Sequence, residues 1–353
     1  MCIRDSYKGG KAKLNNNKRV IKLSSNENPY GASPKAIELL ETKNINHDLH
    51  RYPEIDGSSL REAIAKNFSI DSNRIILGSG SDEVLLFAAL AFCQDGDEIL
   101  HANHGFEMYS IVSKVVGAVP KKIKEDVNFN LNIENLIDQT NDATKVIYIA
   151  SPNNPTGTYL SRDQLVKLMN SISKNIIVVI DGAYVEYVQK DDYDKGFSLT
   201  DEYENIILTR TFSKTYGLAA LRVGWCYTSQ KIADIINKIK PPFNTTTISQ
   251  SLAIKALEDK EHIENSVKLN SEIKDWFEKE LKLLNIKTRQ TEGNFTLIET
   301  SEEEAEKISN HLMNDGIIIR RLNSYNLPNF LRISIGTKEE MNLTVESLKK
   351  FNV

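Results

Sequence analysis

The run Asn205-Ile206-Ile207-Leu208-Thr209 leads into Arg210-Thr211-Phe212-Ser213-Lys214-Thr215-Tyr216-Gly217-Leu218-Ala219-Ala220-Leu221-Arg222, and a second apolar run closes at Tyr227. A short β-branched run that ends in hydroxyls, cations and glycine reads as a strand whose carboxyl end carries chemistry. The same texture repeats outward from it. Strands are predicted at Arg74–Leu77, Glu98–His101, Lys145–Ala150, Ile176–Asp181, Asn205–Thr209 and Arg222–Tyr227. Several lack polar/apolar alternation, as strands covered on both faces do. Amphipathic helical stretches such as Ser81–Phe92 and Ser161–Ser173 separate them. Strands alternating with helices predict an α/β fold with a mostly parallel, doubly wound sheet. Ligands of such sheets bind outside the carboxyl ends of the strands.

Past Pro241-Pro242 the pattern changes. Ile248–Leu284 reads as one long charged helix, followed by strands at Phe295–Glu299, Ile317–Arg321 and Leu331–Ile335 and helices at Glu302–Asn314 and Lys338–Phe351. That is a smaller α+β domain. Helices are also predicted near Pro34–Thr42 and Ser58–Phe68. The division is therefore residues 1–48 as an N-terminal arm and part of the small domain, 49–245 as the large domain, and 246–353 as connecting helix and C-terminal small domain. A length of 353 residues agrees with roughly two domains.

Composition narrows the function. The 44 Lys and Arg against 48 Asp and Glu give a net charge of −4, which argues against a broad basic nucleic-acid face. The apolar runs are far shorter than the roughly 20 residues that span a bilayer. Cys2, Cys93 and Cys226 lie far apart, so no disulfide framework or zinc motif is expected and a reducing cytoplasm is the default. His101 and His104 are three apart, but no acidic metal partners are evident in the sequence, and no metal is expected. Lysines at positions 8, 11, 13 and 18 leave no apolar core for a signal peptide, and Met1–Ser6 reads as a candidate artefact.

Four strand ends are unusual. Gly78-Ser79-Gly80-Ser81-Asp82-Glu83 opens a helix, where close backbone approach and free amides favour an anion such as phosphate. The third glycine of a dinucleotide fingerprint is missing. Ser151-Pro152-Asn153-Asn154-Pro155-Thr156-Gly157 is a stiff loop that aims an amide side chain. Asp181 closes an apolar run and needs a cationic or hydrogen-bonding partner. Lys214 stands among hydroxyls with Arg222 nearby, and a lysine beside other cations can form a Schiff base with a carbonyl. Together these parts suit pyridoxal phosphate, which needs a Schiff-base lysine, an acid for its ring nitrogen and a phosphate cradle.

At these residues the chain resembles the fold-type I pyridoxal-phosphate aminotransferases, and among them the histidinol-phosphate aminotransferase branch. The likeness runs from Tyr7 to the C-terminus through Ser25-Asn26-Glu27-Asn28-Pro29, Arg51-Tyr52-Pro53, Gly80-Ser81-Asp82-Glu83, Ser151–Gly157, Thr211-Phe212-Ser213-Lys214 and Leu331-Arg332-Ile333-Ser334-Ile335-Gly336-Thr337. It implies an aspartate aminotransferase-like fold. Lys214 would carry the cofactor, Asp181 would pair with its ring nitrogen, and Asn154 and Tyr184 would bond its ring oxygen. Phe106 would stack on the ring, and Ser81, Asp82, Thr211, Ser213 and Arg222 would surround the phosphate. Tyr52 would reach the cofactor phosphate of a neighbouring subunit, which implies a homodimer with shared sites. Arg320 and Arg332, with Asn28, would serve the substrate. The family usually reads Asp-Glu-Ala-Tyr where this chain has Asp181-Gly182-Ala183-Tyr184, and Pro-Thr where it has His104-Gly105.

The resemblance implies a cytoplasmic enzyme moving an amino group between histidinol phosphate and glutamate or 2-oxoglutarate. An aromatic or prephenate aminotransferase and a threonine-phosphate decarboxylase are alternatives on the same fold. A catalytically silent regulator that binds ligand or DNA is the alternative from another class, and no helix-turn-helix extension or basic block supports it.

Overall fold

A computed structural model describes residues 20–42 and 50–351. In chain order it begins with β1 (Ile21–Leu23), α1 (Pro34–Glu41), α2 (Ser58–Phe68), β2 (Ile75–Gly78), α3 (Ser81–Phe92), β3 (Glu98–Ala102), α4 (Glu107–Val115) and β4 (Val119–Ile123). Then come α5 (Ile133–Asp138), β5 (Thr144–Ala150), α6 (Arg162–Ser171), β6 (Ile177–Asp181), α7 (Leu199–Glu202), β7 (Ile206–Thr211), β8 (Gly224–Thr228) and α8 (Gln230–Ile239). The chain closes with α9 (Thr247–Glu258), α10 (Lys260–Leu283), β9 (Lys287–Arg289), β10 (Phe295–Glu299), α11 (Glu302–Asn314), β11 (Ile317–Leu322), β12 (Leu327–Ser334) and α12 (Lys338–Phe351).

Among the described residues there are two sheets. The large one has the order β2-β8-β7-β6-β5-β3-β4. Strands β7, β6, β5, β3 and β4 pair in parallel, and β8 lies antiparallel to both its neighbours. Every residue of β6, β7 and β8 is buried, which explains their unbroken apolar texture. One core fills the side that carries α3, α4 and α8, and another fills the side that carries α5 and α6. The second sheet has the order β1-β11-β12-β10-β9, with α10, α11 and α12 packed on its core.

Several points depart from the sequence reading. Strand β4, Val-Pro-Lys-Lys-Ile, was not expected; it lies at the sheet edge, where Pro120 needs no ladder partner for its missing N–H. The helix expected over Ile248–Leu284 is two helices. Asp259 ends α9 and caps α10, accepting from His262 N, Ser33 Oγ and Lys35 N. Strand β12 begins at Leu327, four residues before the expected start. Finally, α1 and α9 do not join the small sheet. Ala36 of α1 and Leu252, Ala253 and Ala256 of α9 share one core with Leu60 and Ile64 of α2 and with β2 and β8. Only β1 of the N-terminal region enters the small sheet, parallel to β11. Cys2, Tyr7 and the boundary at 48/49 lie outside the described residues.

Candidate active site

The carboxyl ends of β5, β6 and β7 come level, with Ala150 opposite Asp181 and Asp181 opposite Thr209. Asp181 is 5 % exposed, so its charge needs donors. Tyr109 Oη donates to Oδ2 at 2.9 Å and Thr209 Oγ1 to Oδ1 at 3.0 Å. Burial still raises the carboxyl above its ordinary range, against the pull of those two bonds. The result is a fixed carboxylate that a cation at the cavity floor would relieve. Tyr109 is itself held by stacking on Tyr148, with centroids 4.9 Å apart and planes 4° from parallel, and Phe106 meets its edge. Tyr109 escaped the sequence reading because a helical tyrosine three residues past Phe106 carries no separate signal.

One wall is an anion cradle. Gly80 caps α3 with φ +82°, bringing the free amides of Ser81 and its neighbours to the cavity. Arg222 adopts a left-handed conformation, φ 48°, that returns its side chain to the same place. Its Nη1 donates to Ser213 Oγ at 3.3 Å and Ala219 O at 3.0 Å, and Nη2 donates to Asp82 Oδ2 at 3.2 Å. The Arg222–Asp82 pair is more than 40 % exposed on both sides and contributes at most about 1 kcal/mol, so an incoming anion replaces it readily. The cradle has no spare room. A Cβ at Gly80 would overlap Arg222 Nη2, and one at Gly224 would overlap Ser81 N and approach the Gly80 carbonyl carbon to 2.6 Å.

The other wall joins the two sheets. Lys214 Nζ donates to Ser25 O at 3.0 Å and lies 5.7 Å from the Tyr184 ring centroid. Tyr184 Oη accepts from Asn26 Nδ2 at 3.0 Å. Burial raises the Tyr184 hydroxyl above its ordinary range, and the Arg332 charge is the main opposing influence. Arg332, from β12, is 3 % exposed and donates through Nη2 to Ser24 O at 2.8 Å and through Nη1 to Asn154 Oδ1. Its Nε is buried without a partner. These groups enclose a cavity of about 230 Å³.

Of the residues expected from sequence, Ser81, Asp82, Phe106, Asn154, Asp181, Tyr184, Thr211, Ser213, Lys214, Arg222 and Arg332 line this cavity. Three do not. Asn28 lies outside the lining: its Nδ2 donates to Thr215 O at 2.8 Å and Ser266 Oγ at 3.0 Å, tying loop to helix, and Asn26 lines the cavity. Arg320 stands opposite Arg332 across β11 and β12, on the same sheet face, but outside the cavity lining. Lys214, Arg222 and Arg332 are the cations of the lining. Tyr52 is 81 % exposed and stacks on Phe243, 4.6 Å between centroids, away from its own chain's cavity. The His101/His104 pair also reads differently. His104 does have an acidic neighbour, Glu125, at 3.1 Å, while both nitrogens of His101 are engaged by Ala102 O and Ser110 Oγ. Burial pushes His101 down to about 4, which keeps it neutral.

Residues 18–348 match the family model described as aminotransferase class I and II. The chain is 40 % identical over 346 residues to a histidinol-phosphate aminotransferase of Dinoroseobacter shibae, covering 98 % of this chain and 94 % of that one. It is 39 % identical over 352 residues to the protein of the same name from Pelagibacter ubique, covering 99 % and 97 %. Among solved structures, the histidinol-phosphate aminotransferase of Sinorhizobium meliloti in complex with pyridoxal-5'-phosphate superimposes with a TM-score of 0.87. The two are 23 % identical, covering 95 % of this chain and 92 % of that one.

Proposed function

The chain belongs to the class I and II aminotransferases, and from that premise we propose that it uses pyridoxal phosphate to move an amino group between histidinol phosphate and glutamate or 2-oxoglutarate. One observation carries the reading: a lysine, a buried carboxylate and an arginine-lined anion cradle converge with a second arginine in a single cavity.

The residues suit the cofactor. Asp181 is a desolvated acid at the floor that a protonated ring nitrogen would neutralise. The cradle at Ser81, Asp82, Thr211, Ser213 and Arg222, where backbone atoms stand too close to Gly224 for a Cβ, would hold a phosphate. Phe106 and Ala183 line the space for the ring. Bound there, pyridoxal phosphate supplies a carbonyl for the amine and a ring that takes up the electron pair left when the amine-bearing carbon loses its proton.

The protein does the rest. Lys214 Nζ would take the proton from the donor's amine-bearing carbon as a general base and hand it to the cofactor carbon as a general acid, and would run the same transfer in reverse for the acceptor. Asp181 holds its negative charge where the ring nitrogen's proton must stay. Tyr184 and Asn154 would donate from hydroxyl and side-chain amide to the ring's substituent oxygen. Arg332 grips the substrate's anionic group, because its buried Nε is a donor without a partner and its other two nitrogens are already fixed in direction. Phosphate and carboxylate both suit a guanidinium fork, so one arginine serves both substrates in turn.

The exposed Tyr52 is assigned to the phosphate cradle of a second subunit in a homodimer, and Arg320, opposite Arg332 on the same sheet face, to the substrate's anionic groups. Among the described residues no helix is long and apolar enough to cross a membrane, in keeping with a cytoplasmic enzyme of small-molecule metabolism. Residues 49–245 are assigned as the cofactor-bearing part, and the small sheet takes β1 from the N-terminal region and β9 to β12 from the C-terminal region.

The deciding experiment compares turnover of histidinol phosphate with that of phenylalanine and tyrosine, using 2-oxoglutarate as acceptor. Histidinol phosphate is expected to lead by kcat/KM. Preference for the unphosphorylated aromatics would overturn the substrate reading and leave the aminotransferase reading intact.

A further inference from the structure

Gly182 follows the floor carboxylate, and its backbone is not in the left-handed region that calls for glycine. What excludes a side chain there is space. A Cβ at 182 would overlap Arg210 Nη1, lie 2.9 Å from the guanidinium carbon and meet the Thr209 carbonyl at 3.2 Å. The Arg210 head group thus occupies the volume that any other residue at 182 would need.

Arg210 is no solvated cation. It is 4 % exposed, its Nη1 donates to Thr209 O at 2.7 Å, its Nη2 donates to Lys195 O, and its guanidinium carbon lies 5.4 Å from the Phe197 ring centroid. One of these contacts, to Thr209 O, is to the residue that also holds the floor acid. The Thr209 carbonyl also receives Gly182 N at 3.1 Å, while the Thr209 hydroxyl donates to Asp181 Oδ1. One residue is therefore gripped by Arg210 from beneath and grips Asp181 from the side. Arg210 also balances charge there. Burial raises the Glu186 carboxyl, and the Arg210 cation is the main influence drawing it back.

We propose that Arg210 is a positioning residue for Asp181, acting through Thr209 and keyed into the space that Gly182 leaves open. The inference rests on the reading that Asp181 faces the ring nitrogen of pyridoxal phosphate. An adjustment of under an ångström at Asp181 changes how firmly that nitrogen keeps its proton, although Arg210 touches neither cofactor nor substrate.

The test is a cycle of Gly182→Ala, Arg210→Lys and the double variant in the pyridoxal-phosphate-loaded enzyme. Each is read by kcat, KM, cofactor dissociation constant and the pH midpoint of the cofactor's visible absorption. Gly182→Ala is expected to lower kcat by about 10²-fold with KM nearly unchanged, since misplacement of about 1 Å carries that penalty. The absorption midpoint should rise, because a ring nitrogen that has given up its proton no longer repels one from Lys214 Nζ. The double variant should recover about tenfold of the lost kcat, because lysine lacks the fork that the new methyl strikes. A wild-type midpoint and kcat in Gly182→Ala, or effects that simply multiply in the double variant, would overturn the proposal. Should Gly182→Ala not fold, Arg210→Lys alone must raise the midpoint, and an unmoved midpoint has the same force. A wild-type protein that gives no visible band with pyridoxal phosphate refutes the cofactor reading instead, so the two failures are distinct.

Discussion

Replacing Tyr109 with phenylalanine removes one oxygen atom and tests how the floor carboxylate is held. The ring keeps its place, since Tyr109 is 1 % exposed and stacks on Tyr148 at 4.9 Å. What disappears is the 2.9 Å bond from Oη to Asp181 Oδ2. A buried hydrogen bond to an ionised acceptor contributes about 1.5–3 kcal/mol. That corresponds to about ten- to a hundredfold in an equilibrium constant. The cost has a pH signature. Burial already holds the folded carboxyl above its ordinary 3.8, so the folded chain keeps a proton that the unfolded chain releases. In that window stability falls as pH rises. Without the Tyr109 donor the folded carboxyl moves higher and the window widens upward. Tyr109→Phe is therefore destabilised increasingly as pH rises from 5 to 8, and it approaches the wild type toward the acid end. Urea unfolding of the cofactor-free protein at both pH values, with kcat of the loaded enzyme, measures this. A variant within about 0.5 kcal/mol of wild type at both pH values, with unchanged kcat, would refute the claim that this hydroxyl holds Asp181.

Lys214→Ala should abolish steady-state amino transfer from glutamate, and near-normal turnover would remove Lys214 from the proton-transfer role. Gly224→Ala places its methyl on the Ser81 amide, a backbone atom that no side-chain rotation can clear. The overpacking should cost about 1–3 kcal/mol and weaken cofactor binding in a pyridoxal-phosphate titration, where an unchanged dissociation constant would refute the tight cradle. Asp259→Ala removes the cap of α10 and the anchor of Ser33 and Lys35, a loss of about 1–2 kcal/mol at neutral pH. Those bonds hold the folded Asp259 carboxyl below its ordinary 3.8. Its contribution is therefore complete above that value and lost as pH falls through the lower folded one. Thermal unfolding at neutral and acid pH should show the difference between variant and wild type shrinking with acid.

The large sheet was legible where strands are covered on both faces, because a parallel strand such as Ile177–Asp181 must be apolar throughout. The edge strands β4 and β9 gave no such signal. Lys121 and Lys122 of β4 and the three residues of β9 answer to solvent on one side, so their sequences resemble loops. The break between α9 and α10 was hidden for another reason. Nothing in the local sequence forbids a continuous helix at Asp259, and its partners Ser33 and Lys35 lie more than 220 residues away. Asn26 and Asn28 share one motif but take different places. The turn at Asn26, φ 54°, sends one asparagine to Tyr184 and the other toward Ser266, a choice that backbone direction makes and composition does not.

Local chemistry alone determined the fold class and the family, and it singled out most of the residues that line the cavity. Strand patterning, the glycines before α3, and Lys214 with its hydroxyls and Arg222 are short-range features that each element carries by itself. Tertiary structure decided which of those groups meet, and what holds them. Tyr109 under Asp181, Asn26 under Tyr184, Arg332 against Asn154 and Arg210 in the space beside Gly182 join segments far apart in the chain or turned by register. The physical reason is that a buried charge is held by donors approaching from several directions, and no single segment of chain supplies them all.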